Sequence, residues 1–244
     1  MLLNILKRIA TKNLQYNSEH EIKKSPTPLN MHQGSVVTLP AIDLAMAVMD
    51  GSRIKTPDDN LIVKMVGKYH LWDYDVYHCY VDDNGSFIRI TTKANNMEPI
   101  EAQYFIVDGV IEPKTIEDWE LWLGSWQKDS DGEFVRDSKG IAIKKDWGLI
   151  GFPQFQVNGD NPIVYDRQWL QSTDPVEAVK FTEVISTSDG DKTSIKHEAM
   201  EYARTMLNSK EYLLVSVVED NDTASVTVFI GVELDHKLIK VLVS

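Results

Sequence analysis

The chain has 244 residues, a net charge of −12 from 37 acidic against 25 basic side chains, and one cysteine. That length holds one large domain or two small ones with a substantial core. The charge balance argues against a nucleic-acid-binding body, because phosphates need clustered Lys and Arg. One Cys excludes an intrachain disulfide framework and any multi-thiolate zinc site, and no apolar run approaches the ~20 residues of a membrane-spanning helix.

Charge is unevenly spread. Residues 1–24 carry five basic side chains against Glu19 and Glu21, a local +3 that leaves −15 for the rest. Leu2, Ile5, Leu6, Ile9 and Ala10 recur at helical spacing while Asn4, Lys7, Arg8 and Thr11 fall opposite, so residues 1–14 read as a short basic amphipathic helix. It is not a secretory signal, because Lys7 and Arg8 interrupt the apolar stretch, and Leu2 stands where N-myristoylation needs glycine. Residues 15–35 are polar, contain Pro26 and Pro28, and predict a flexible linker. The helix either docks on its own domain or makes a weak, reversible contact with anionic lipid or an acidic partner.

Residues 36–244 read as one α+β domain, mainly antiparallel β: a hairpin-rich sheet or partly open barrel with a few short helices. Pro40 ahead of Ala41, Leu44, Ala45 and Val48, with Gly51 beyond, predicts the first helix. Strand-like runs follow from Leu61, a turn falls at 82–85, and Asp108 with Gly109 marks a second turn or a bulge. Thr115 and Asp118 form a capping-box pair opening a helix in which Ile116, Trp119 and Leu123 share one face and Gly124 stops the run. The charged, turn-rich residues 127–146 predict an exposed hairpin or insertion. Ser188 to Asp191 predicts another hairpin turn, residues 193–208 fit strand as well as helix, and the closing runs alternate as central strands.

Few patterns carry chemistry. In the strand through residues 74–81, Tyr77, Cys79 and Val81 point one way and Val76, His78 and Tyr80 the other. His78 therefore cannot activate Cys79, and the thiol reads as buried and inert. The chain has no G-x-S-x-G turn, H-E-x-x-H pair or phosphate-cradling glycine loop. Setting Gly132 as the turn of a calcium loop puts Gln127 and Ser138 where acids are required. No metal and no cofactor is expected. The six Trp can build a sugar- or peptide-binding platform, although Trp119, on an apolar helix face, reads more simply as core.

Gly67, the segment 80–83, the run GLIGFPQFQVNG at 148–159, the segments 165–167 and 197–200, and the strand from Glu211 occur in an order that resembles a bacterial family of unknown function typified by YjfK, over roughly residues 60–242. The resemblance implies a cytoplasmic bacterial protein and supplies no catalytic residues. It also implies an accessory role near the inner membrane, because members are often encoded beside a membrane-stress coiled-coil protein. Within those motifs the candidate binding residues are Asp83, Tyr165, Arg167, His197, Tyr202, Arg204 and Glu211. Arg167 and Arg204 can clamp a carboxylate or phosphate, with His197 as acid or base. The competing reading makes these residues a buried Arg–Glu and histidine network that holds strand ends.

The function expected from the sequence is therefore that of an intracellular binding or adaptor protein with protein partners, no nucleic acid, and weak membrane-surface contact through residues 1–14. The alternative is an enzyme or small-ligand binder using Arg167, His197 and Arg204. A deep pocket uniting those three side chains would favour the alternative, and scattered positions the adaptor.

Overall fold

The computed structural model describes residues 26–57, 60–82, 84–159, 161–186, 192–220 and 223–242. The predicted helix 1–14, the first part of the predicted linker, and Asp83 lie outside the described residues.

The described chain opens with a tight turn at Pro28–Asn30 and strand β1 (Val36–Thr38), followed by helix α1 (Ala41–Met49) and strand β2 (Leu61–Ile62). Over residues 26–35 of the predicted linker, Met31 and Ser35 are buried, and the Thr27 hydroxyl donates to Met31 O at 2.6 Å. Met31 and Pro28 are buried and Leu29 packs against the same core, so three apolar side chains anchor this otherwise polar stretch, which shows no period for a sequence reading to detect.

Strands β3 (Met65–Leu71), β4 (Tyr74–Tyr80), β5 (Phe87–Lys93) and β6 (Pro99–Ile111) form an antiparallel meander. The pairing of β6 shifts register between Val107 and Gly109, so this site is a bulge and not a turn. Helix α2 (Ile116–Leu123) begins at the Thr115–Asp118 capping box and ends at Gly124, whose φ of 79° only glycine adopts readily. Its packing differs from expectation in one residue: Trp119 and Leu123 lie against the core, whereas Ile116 is exposed.

Strands β7 (Gly124–Trp126) and β8 (Lys144–Trp147) pair at the base of an exposed arm. In that arm Asp129 accepts from the amides of Asp131 and Glu133, and Asp137 from those of Lys139 and Ile141. After a turn at Leu149–Gly151 come β9 (Gln154–Val157) and β10 (Ile163–Arg167).

A second antiparallel meander follows: β11 (Val179–Ser186), β12 (Lys192–Thr205), β13 (Lys210–Asp220) and β14 (Thr223–Leu234). Strand β15 (Lys240–Leu242) then pairs with β1. The ambiguous stretch 193–208 is strand through Thr205, because ladders on both sides of β12 consume its backbone groups and override its helical spacing.

The two meanders close into an eight-stranded antiparallel barrel in the order β3-β4-β5-β6-β14-β13-β12-β11, returning to β3. The seams are unequal. β12 and β13 pair without a break from Lys196 to Thr205, whereas β3 meets β11 only through Val66, Gly67 and Lys68 opposite Ser186, Ile185 and Val184. Strand β12 is long enough to pair with β11 along its first half and with β10 at Tyr202 and Ala203.

Period-two alternation fills the lumen with Tyr69, Tyr80, Phe87, Phe105, Leu214 and Phe229 among others. Alternate positions, including Cys79, Ile88, Leu213 and Val215, form a second core outside the barrel wall, beneath Met31, Val37, Leu44, Ile54 and Ile239. The strands at this wall are buried on both faces, which is why residues 211–218 are so nearly unbroken in apolar character. Gly231 lies against the Phe105 ring, which a β-carbon there would strike.

Candidate functional site

The residues singled out in the sequence separate into three places. The first centres on Glu211, at the start of β13 and facing outward from the barrel. Its Oε1 accepts from Tyr165 Oη at 2.6 Å and Arg204 Nε at 2.8 Å, and its Oε2 from Ser52 Oγ at 2.5 Å and Arg53 N at 2.6 Å. Arg204 also donates to Gly51 O at 2.8 Å. Burial pushes the Glu211 carboxyl up, but the four donors outweigh it and hold the group below its usual range. The same burial, reinforced by Glu211, raises Tyr165. Tyr165, Arg204 and Glu211 are thus brought together, and they bind the 51–53 turn to β10, β12 and β13.

The second place is the loop side of β10. Arg167 donates to three backbone carbonyls, those of Gly151, Ser172 and Asp174, at 2.8, 2.6 and 2.9 Å. Tyr202 donates to Ile150 O at 2.7 Å. Both side chains hold the 149–151 turn, and a guanidinium directed at three carbonyls is occupied with folding the loop.

His197 lies in neither place. It points into the lumen, where its Nε2 is 3.2 Å from Glu183 Oε2 and its Nδ1 3.0 Å from Ser216 Oγ. Tyr80 donates to Glu183 at 2.8 Å, and His78 Nδ1 approaches the other carboxylate oxygen at 3.2 Å. Burial pushes Glu183 up, yet the two imidazoles facing it prevail and hold it low, while burial pulls His78 below its ordinary value. Beside this group Arg89 bonds to Gln103 at 2.7 Å and pairs with Glu201. The expected union of Arg167, His197 and Arg204 does not occur, because residues 197 and 204 differ in parity along β12 and so face opposite sides of the wall.

The feature that the sequence reading did not localise is a groove of about 280 Å³ between α2, the β7–β8 pair and the 176–178 segment. Trp119 and Trp122 from α2 and Trp126 from β7 line it, with further apolar surface from Ile116 and Leu123 on α2 and from Ile150, Val176 and Ala178. Lys144 reaches in from β8, donating to Leu123 O at 2.9 Å with its ammonium 4.1 Å from the Trp126 ring centre. Burial there pulls Lys144 below its usual value. Lys180 is paired with Glu198 at 3.2 Å, and Glu120 and Glu177 stand exposed on the lining. The usable sequence signal was the spacing of three Trp within eight residues across a helix end.

Among the described residues no cluster of His, Cys, Asp or Glu could hold a metal ion, and no helix is long and apolar enough to cross a membrane. These features define a closed antiparallel barrel whose largely aromatic lumen encloses a buried Glu183–histidine group and an Arg89–Glu201 pair, with a tryptophan-lined external groove. Residues 10–240 match a family described as a protein of unknown function (DUF2491), and the chain belongs to that family. No curated protein and no solved structure matches it.

Proposed function

We propose that this protein is a non-enzymatic binding or adaptor protein whose working surface is the tryptophan-lined groove. The observation that carries this reading is the combination of three indoles and about 280 Å³ of concave space at the surface. The named polar candidates support it by their occupation: Arg167, Arg204 and Glu211 are consumed in holding turns, and His197 is buried in the lumen. An intracellular bacterial setting, with the YjfK-like relationship and an accessory role beside a membrane-associated stress complex, belongs to the same proposal. It accords with a chain that has one cysteine and buries it.

The test compares the proteins retained by the full chain with those retained by the Trp119→Ala chain, after thermal melts show both to be folded. Loss of the same species from the variant supports the groove as the working surface. Identical retained sets overturn it.

A further inference from the structure

Resting on that reading, we propose that the groove takes a short peptide segment in which an apolar side chain is flanked by basic ones. The walls define the apolar part. Trp119, Trp122 and Trp126 present indole surface, and Ile116, which lines the groove, is 73% exposed, an arrangement suited to one inserted aliphatic side chain.

The charges define the flanking part. Three carboxylates of the lining, Glu120, Glu177 and Glu198, stand against two ammonium groups: Lys180 pairs with Glu198, and Lys144, held by Leu123 O and the Trp126 face, is attracted by Glu177 and Glu198. Glu120 on α2 and Glu177 on the facing segment are exposed, and neither is in an ion pair among the described residues. A segment lying across the groove would meet a carboxylate on each side and indole faces between them, which favours lysine or arginine on both flanks of the inserted residue. An acidic segment would meet like charge from Glu120 and Glu177 on a chain already at −12.

The experiment titrates the full chain with a labelled synthetic peptide of alternating leucine and lysine, and with its leucine–glutamate counterpart, following fluorescence anisotropy. The expected result is binding of the lysine peptide alone, weakened about tenfold by Glu120→Lys with Glu177→Lys, weakened by Ile116→Ser, and weakened by added salt. These variants lie at exposed positions, so they test contact and not folding. Equal binding of both peptides, with Ile116→Ser weakening both, overturns the charge assignment while leaving the groove as a binding surface. Binding that ignores all three substitutions, or no binding of either peptide, overturns the proposal. The comparison of retained proteins described above then decides the broader reading on its own.

Discussion

Gly67 on β3 faces Glu183 on β11 across the shortest seam of the barrel, and the absence of a side chain at 67 is what admits the buried carboxylate. A β-carbon there would run into Glu183 Oε1, and Glu183 cannot retreat because Tyr80 and His197 hold its other oxygen. The seam with the fewest paired residues is thereby bridged by side chains from β4, β11 and β12. Gly67→Ala should destabilise the protein by about 1–3 kcal/mol through overpacking. Urea denaturation checks this, and combining it with Glu183→Ala should recover part of the loss, since the two changes share one contact.

Acid should loosen the same network. His78 is an imidazole held below its ordinary value of 6.5 by burial, so beneath that pH the unfolded chain binds more protons and folding is penalised. Glu183 is a carboxylic acid held low, so its contribution is complete above its ordinary 4.5 and is lost as pH falls through the folded value. Both signs agree: stability declines from about pH 6.5 downward and further below 4.5. Glu183→Gln should remove the lower part of that decline, which denaturation midpoints measured from about pH 2 to pH 8 would show.

Glu211→Ala should release the clamp on the 51–53 turn. It strands the Arg204 guanidinium and removes the acceptor of Tyr165, Ser52 and the Arg53 amide. Breaking a fully buried ion pair costs about 3–5 kcal/mol, and Arg204, 22% exposed and still bonded to Gly51 O, sets the expected loss toward the lower end of that range. The midpoint of urea unfolding should fall accordingly, and hydrogen exchange should accelerate at residues 51–54 more than in β4 or β5.

The Cys79 thiol should resist alkylation in the native protein. It is 1% exposed in the outer core, and burial pushes its pKa up to about 12, so almost no thiolate exists at neutral pH. Iodoacetamide labelling followed by mass spectrometry should show modification only once denaturant unfolds the chain. Stoichiometric labelling of the folded protein within minutes would place residue 79 elsewhere.

Local signals located several elements of this protein from sequence alone, though not the strand character of residues 193–205. Alternation put His78 and Cys79 on opposite faces, the Thr115–Asp118 pair began α2, and Pro40 and Gly51 bracketed α1. These are contacts between neighbours in the chain, which a sequence displays directly. The tertiary structure alone decided the closure of β3 on β11, the meeting of Glu183 with His78 and His197, the capture of Glu211 by Ser52 and Arg204, and the burial of Met31. Tyr165, Arg204 and Glu211 could be named beforehand as candidate polar residues. Their use as a clamp could not, because Ser52 and Glu211 are 159 residues apart and nothing local records which buried donor an acceptor will find. The groove follows the same rule: the spacing of its tryptophans is written in the chain, but its far wall is supplied by residues 176–178, which only folding brings opposite them.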